Sequence, residues 1–504
     1  MQHPVPLILR RPRGLASLAA TAPIVVGVAL LSIVGCGETV TPEKLIKKPF
    51  EGQKLAVSCP DAAFADAVGP MVKAWAKRSG AEVVVRREPM TPEDDSDIGL
   101  IPSGHLGAWG EPGLLVPVPA KLRANDNPFQ WFGLLSAYGE RLVEWGGQTL
   151  AVPLTGDGYV IVYRADRLTD KAVVAEYHKL SPSTAAPTTW EEFAALAAAF
   201  AAVDKKPSLP PLPTDPERMF DLFGRVAASI DREKLDDVQL AARTDREALA
   251  FYFSVTTGKP RLTSDGFLEA AKWFAGLQKS KALPADGPDD PAAALAEGRA
   301  MLAVLSLDQL ARLPRENGAV PTRFGLVGIP GTRAFRHADD GKVREDANKN
   351  FVPYYAGGRI GVVRTRCKNA EAAFDLLADL GGPARSAEFV GTPGLGAGPM
   401  RVAHLDRERL TLWLGYGFDE ERSKVLQDTM RHYVEQTVKN PAQGLRGPDR
   451  RELIRAAGSA LGKIGAGMSP NDALTEAEKA WLALDAKVPL DTLIRWRQRA
   501  VGLN

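Results

Sequence analysis

Between residues 54 and 102 the apolar residues change spacing three times, and that succession constrains the fold more than any other feature of the chain. Residues 54–58 (KLAVS) make a short extended run. From 61 to 78, Phe64, Val68, Met71, Val72 and Trp75 recur near i, i+3, i+4 and i+7, one face of a helix, and Gly80 supplies its stop. Residues 82–86 (EVVVR) and 97–102 (DIGLIP) are again extended. Strands separated by a helix pair in parallel, because a parallel pair needs a crossover of about a dozen residues or more. The order β-α-β-(α)-β therefore predicts an open parallel sheet in an α/β fold.

The rest of the chain continues the mixture. Residues 148–153 and 159–163 read as an extended pair around Thr155-Gly156-Asp157-Gly158. Thr189 and Glu192 form a capping box for a helix over 189–200 whose apolar face is Phe193, Leu196, Ala197 and Phe200. Pro207, Pro210, Pro211 and Pro213 mark a loop, and Asp215-Pro216 opens the next helix. Helices are expected over 243–255 and 266–278, with a short one at 291–299 before a buried strand at 300–305. Strands follow at 324–330 and 359–364, and Asn369 starts a helix that Gly381-Gly382 closes. From residue 401 onward the pattern is almost wholly helical.

The length of 504 residues suits two to three structural units. Lys+Arg total 63 and Asp+Glu 61, so nothing attracts nucleic acid in general. The N-terminus concentrates its charge instead. Arg10, Arg11 and Arg13 precede an uncharged run from Gly14 to Gly35, the layout of a secretory signal. The run ends Leu31-Ser32-Ile33-Val34-Gly35-Cys36, which resembles the bacterial lipoprotein lipobox. In such a site the Cys36 thiol takes a diacylglyceryl group and the small Gly35 admits the peptidase. An uncleaved anchor is the alternative, since the run is long enough to span a bilayer. Either way the bulk of the chain is expected outside the cytoplasm, with residues 1–35 as signal and 36–52 as a lipidated tether.

Catalytic signatures are missing: neither H-E-x-x-H nor G-x-S-x-G occurs, and the run Gly458–Ile464 falls one residue short of a P-loop. The acidic stretch Glu93-Asp94-Asp95-Ser96-Asp97 has His105 where a calcium loop needs Glu. The six histidines show no metal-like spacing, so no cofactor, metal or enzymatic activity is expected. Cys59 and Cys367 are expected as free small hydrophobes or as a mutual pair.

Several segments together resemble the extracellular solute-binding lipoproteins that serve ABC importers, in the large sugar-binding group (family 1) that includes maltose-binding protein. Residues 101–106 (IPSGHL) and 113–117 (GLLVP) resemble that family's strand-end cleft segment and its G-L-L-x-P-L. Residues 147–166 resemble its crossing strand, and 187–192 (PTTWEE) resemble P-x-T-W-D-E. Residues 291–305 resemble its A-F-x-x-G-K-A-A-M helix and strand. Residues 354–363 and 369–380 resemble G-G-x-x-x-x-V and the helix after it. The similarity runs over about 53–485; the tail 489–504 extends past it, and Ser306-Leu307-Asp308 replaces a G-P-W-like turn.

The resemblance implies a two-lobed periplasmic-binding-protein fold (type II), with discontinuous lobes around a ligand cleft. Lobe 1 takes 53–160 plus 358–400, and lobe 2 takes 161–357 plus 401–504. It implies a monomer that captures a sugar-like solute and delivers it to an ABC permease; a sensor or scaffold of the same fold is the alternative. Ligands of open α/β sheets sit at the carboxyl ends of strands. On that rule and the resemblance, the expected cleft residues are Asp61, Ser103, His105, Asp157, Tyr159, Ser306, Asp308, Tyr354, Tyr355, Gly357, Gly358, Arg359, Trp413 and Arg446.

The anchor gives the first prediction. Changing Cys36→Ser should release the protein into the soluble extracytoplasmic fraction, or leave an uncleaved precursor, on fractionation and immunoblotting. Normal processing with full membrane retention would contradict the lipobox.

Overall fold

Strand β1 (Lys54–Ser58) runs into helix α1 (Ala62–Ser79), which buries Phe64, Val68, Met71, Val72 and Trp75 as their spacing requires. Asp61 caps its start by accepting from the Phe64 N–H, and Gly80 ends it at φ 81°. The structure is a computed structural model, and it describes residues 48–232, 251–337, 340–354, 357–434 and 444–503. The signal, Cys36 and most of the tether therefore lie outside the described residues. Among those described, no helix is long and apolar enough to cross a membrane.

The strands that follow are β2 (Glu82–Arg86), β3 (Ile98–Pro102), β4 (Ala151–Pro153), β5 (Tyr159–Arg164), β6 (Leu302–Ser306), β7 (Phe324–Val327), β8 (Thr332–Arg336), β9 (Val343–Asn350) and β10 (Arg359–Val363). A five-stranded sheet has the order β2-β1-β3-β10-β4. β2 and β3 are parallel to β1, as the opening pattern predicts, although no helix stands between β2 and β3. β10 lies antiparallel to β3, so the sheet is mixed rather than parallel throughout. The chain reaches β10 from the β8–β9 hairpin, a separate two-stranded sheet, with no helix among the described residues between them.

A second, three-stranded antiparallel sheet has the order β6-β5-β7. Residues 148–153 and 159–163 are extended as expected but do not pair. β4 belongs to the first sheet and β5 to the second, so the segment between them is a crossing and not a turn. The β8–β9 hairpin was not expected; β9 (VREDANKN) has no apolar alternation to announce it.

The longer helices after α1 are α2 (Trp190–Asp204), α3 (Pro216–Asp231), α4 (Asp265–Lys279), α5 (Ala370–Gly381), α6 (Glu420–Val434), α7 (Arg450–Gly462), α8 (Pro470–Asp485) and α9 (Leu490–Ala500); α7 and α8 pack on α3, α4 and each other. Thr189 caps α2 as predicted, while the Glu192 carboxylate accepts from the Thr188 N–H at 2.7 Å, one residue earlier than a capping box requires. Residues 251–255 are not helical, and 243–250 lie outside the described residues. The P-loop-like run begins inside α7, where Gly458 lets that helix cross the backbone of Pro216 on α3. Asn369 precedes α5, but its side chain donates to the Lys54 carbonyl instead of capping. Among the described residues no cluster of His, Cys, Asp and Glu could hold a metal.

The unmatched tail is tied down by charge. On α9, Arg497 is buried between Asp449 at 2.7 Å and Asp485 at 2.9 Å, and Arg499 reaches Glu111 at 2.6 Å. Arg446 holds the end of α9 through the Ala500 carbonyl at 2.7 Å. Burial raises the Asp485 carboxyl to about 6 even though Arg497 opposes it.

Two predictions follow from this packing. Removing one partner from a buried ion network leaves the others unpaired, so Arg497→Ala should cost about 3–5 kcal/mol of stability in urea unfolding. A loss under about 1 kcal/mol would mean that the tail is not held this way. Cys59 and Cys367 are free and buried; they follow β1 and β10, which β3 separates, and so do not bond. Burial pushes the Cys59 thiol up to about 12 and Cys367 to about 11, which withholds the reactive thiolate. Ellman's reagent should titrate neither in the folded mature protein and both after denaturation; rapid reaction in the folded state would contradict the packing.

Candidate functional site

Three backbone segments pass between the core of the first sheet and the two cores that flank the second, and they position the site. Residues 154–158 carry the chain from β4 to β5, Gly357 and Gly358 lead into β10, and 396–400 lead from the first core toward the one around Trp413. Gly156 and Gly398 exchange two backbone hydrogen bonds, both 3.0 Å. The N–H groups of Leu154 and Thr155 donate to the Arg359 carbonyl, and the Arg359 N–H donates to Thr155 Oγ1. A Cβ added at Gly156, Gly358 or Gly398 would lie 2.2, 2.1 or 2.1 Å from a backbone oxygen of a neighbouring segment. Only glycine lets the crossings approach this closely.

A cavity of about 680 Å³ opens against these crossings, within the range of small-molecule sites. On one side stand Asp61, which follows β1, and Arg359, which begins β10. Asp61 uses one carboxylate oxygen to cap α1 and the other to accept from Arg359 Nε at 2.9 Å. Arg359 Nη1 also donates to the Leu395 carbonyl at 3.0 Å, which fixes the 393–396 turn at the rim. On the side of the second sheet, Ser306 ends β6 and Asp308 lies in the short helix Leu307–Leu310, against Gly396 of that turn. Ser306 Oγ donates to Asp308 Oδ1 at 2.5 Å, and its N–H donates to Gln309 Oε1 at 3.0 Å, so the cap orients both side chains.

Asp157 and Tyr159 lie between the two sides, on and just after the first crossing. The Gly158 N–H donates to Asp157 Oδ1 at 2.7 Å. The guanidinium of Arg225, from α3, lies over the Tyr159 ring and is paired with Asp221 one turn before it. Arg225 also donates to the Tyr354 carbonyl at 2.7 Å.

The charges are mixed and mostly paired. Burial raises the Asp61 carboxyl, but the Arg359 charge and the Phe64 N–H outweigh it and hold the group below its usual range. Burial, and after it the charges of Asp157 and Asp221, push the Tyr159 hydroxyl well up, so it stays a neutral donor and acceptor. Carboxylates that accept, guanidinium groups that donate and aromatic faces together suit a neutral, hydroxyl-rich molecule better than a simple ion.

The structure brings Asp61, Asp157, Tyr159, Ser306, Asp308, Gly358 and Arg359 to this one cavity. It places the other expected residues elsewhere. Ser103 is fully buried, and its N–H donates to the Gly358 carbonyl beneath the crossing. Gly357 packs on Ser103 and Leu142. His105 faces Arg450 at 3.4 Å, and burial, then Arg450 and Arg451, lower it to about 4. Arg446 belongs to the same contact, since a Cβ on Gly107 would meet its carbonyl at 2.0 Å. The Tyr354 hydroxyl meets that of Tyr252 at 2.6 Å in the helical core. Trp413 is wholly buried and donates to the His404 carbonyl at 3.1 Å. Tyr355 lies outside the described residues.

The sequence reading missed Arg218, Asp221, Arg225, Asp289, Arg312 and Trp273, all of which line the cavity. Asp221 and Arg225 at i, i+4 were visible as a helical ion pair. Their direction was not, because a polar face of α3 reads equally well as a solvated one.

Comparison with known proteins bears on the fold and the family. The structure is similar to the sugar-binding protein MalE of the phytopathogen Xanthomonas citri, with a TM-score of 0.60 at 14% identity over 88% of this chain and 97% of that one. It is similar to an ABC transporter solute-binding protein of Agrobacterium radiobacter K84 in complex with ribitol, with a TM-score of 0.58 at 16% identity over 87% and 100%. A solute-binding protein of Agrobacterium vitis S4 with bound D-mannitol gives a TM-score of 0.59 at 14% identity over 86% and 99%. At these identities the likeness is one of fold, that of the periplasmic binding proteins. No curated protein matches the sequence. The sequence pattern of the bacterial extracellular solute-binding proteins matches residues 71–406, two thirds of the chain, and the protein belongs to that family.

Proposed function

We propose that this chain is an extracytoplasmic lipoprotein, anchored through Cys36, that captures a small polyhydroxylated solute and delivers it to an ABC permease. The observation that carries the reading is the cavity against the crossings, lined by Asp61 and Arg359 beside strands of the first sheet and by Ser306 and Asp308 from the end of a strand of the second. Carboxylate and guanidinium groups suit the paired hydroxyls of a sugar or polyol, and a hydrogen bond to a charged group contributes about 1.5–3 kcal/mol. Fold neighbours that hold ribitol and D-mannitol support the class of solute.

Capture by closure accompanies this reading. The lobes are 53–160 plus 358–400 and 161–357 plus 401–504, hinged at the crossings. A solute touching both binds the closed form better and shifts the population toward it. Glycines at the crossings keep the hinge free of side chains that would collide as it turns. The permease would then read closure as a change in surface shape.

The test is a thermal-shift screen over hexoses, pentoses, disaccharides and polyols, followed by calorimetry on the best stabiliser. At least one should raise the melting temperature in a concentration-dependent way. Asp308→Ala should then weaken binding about tenfold or more. Its own stability should change little, because the side chain is exposed. A panel without any stabiliser, or an unchanged affinity in the variant, would contradict the proposal.

A further inference from the structure

The cavity changes character along its length, and β6 measures the change. Before its first residue, the Met301 N–H donates to the Ser208 carbonyl at 2.7 Å, so the proline run emerges beside the start of the strand. Ser306 ends it. Four strand steps separate Leu302 from Ser306, about 13 Å at ~3.3 Å per residue. Leu302, Val304 and Ser306 share one face of the strand, apolar at its start and hydroxylic at its end.

The surroundings follow the same gradient. Near Ser306 stand Asp308, whose carboxylate it meets, and Asp157, one residue before the Gly158 carbonyl that takes the Leu307 N–H; Asp61 lines the same cavity. Toward the start of the strand, the Ser208 and Leu209 N–H groups donate to the Ala282 carbonyl, which brings Pro210 and Leu283 there; with Pro211, Pro213, Leu222 and Trp273, all half-buried, they give the cavity an apolar wall. Prolines have no N–H to offer. The Trp273 indole N–H already donates to the Trp190 carbonyl at 2.8 Å. Arg218 and Asp289, the charges beside this wall, are paired with each other at 3.1 Å. The wall therefore offers a ligand apolar surface, while the charges nearby are already engaged. A free sugar or pentitol would be poorly matched there, because its hydroxyls would give up water for few partners.

Building on the solute-binding reading of this cavity, we propose that the solute is amphipathic: a glycoside. Its polyhydroxylated head lies at the Ser306–Asp308–Asp61 end, and an aryl or alkyl aglycone lies along the proline, leucine and tryptophan wall. The two ends belong to one continuous cavity of about 680 Å³, room for a molecule of drug-like size. The head supplies orientation through hydrogen bonds, and the aglycone adds affinity through apolar burial.

Calorimetry with matched pairs tests this: glucose, galactose, mannose and xylose, each against its phenyl glycoside. For at least one head group the phenyl glycoside should bind about tenfold or more tightly than the free sugar. Leu222→Asp should abolish that gain and leave free-sugar affinity within about twofold. Leu283→Asp should do the same and serves where the first variant fails to fold, as judged by circular dichroism. Free sugars binding as tightly as their glycosides in every pair would overturn this inference while leaving solute binding intact. A gain that survives both substitutions would also overturn it, since the aglycone would then lie elsewhere. Silence from every pair would overturn the solute reading and this inference with it.

Discussion

Backbone meeting backbone at the three crossings is the constraint on which the rest depends. Gly156 and Gly398 bond to each other, and Gly358 lies against the Thr155 carbonyl. That spacing determines where the chain leaves the first sheet after β4 and where β10 enters it. It thereby decides which strand ends face one another. Asp61 after β1 and Ser306 at the end of β6 are far apart in sequence but line the same cavity. A single methyl group at any of the three glycines would push the segments apart and misplace both sides.

The charged groups around the cavity also have structural work. Asp61 caps α1 and pairs with Arg359; Arg359 in turn holds the turn at Leu395. Arg225 joins Asp221, the Tyr159 ring and the Tyr354 carbonyl. Such cross-bracing fixes donors and acceptors before any solute arrives, which lowers the entropy lost on binding. Asp308 differs: it is exposed, and its partner is the neighbouring Ser306. It can rearrange toward a ligand without loosening the fold.

What was legible in the sequence was mostly local. The β1-α1-β2-β3 succession, the Asp61 and Thr189 caps and the proline at the start of α3 all follow from neighbouring residues. Asp61, Ser306 and Asp308, expected from strand ends, and Arg359, expected from the family resemblance, all line the cavity. Strand orientation was not legible: nothing in RIGVV says that β10 runs against β3. Nor was side-chain direction. Tyr354 and Trp413 have chemistry suited to a cleft, but Tyr252 and the His404 carbonyl engage them inside cores. Trp273 falls in the helix expected over 266–278, where nothing local marks it as facing a cavity, yet it lines the cavity. The distinction lies in tertiary packing, which periodicity does not carry.

On the proposed reading, one solute is held at once by groups beside strands of both sheets. A crystal structure of the chain grown with the best stabiliser from the screen tests it directly. The account predicts density for the solute in the cavity, with hydroxyls within about 3 Å of Asp308 and of Asp61 or Arg359 in the same molecule. Solute bound to one side alone, or outside this cavity, would contradict it.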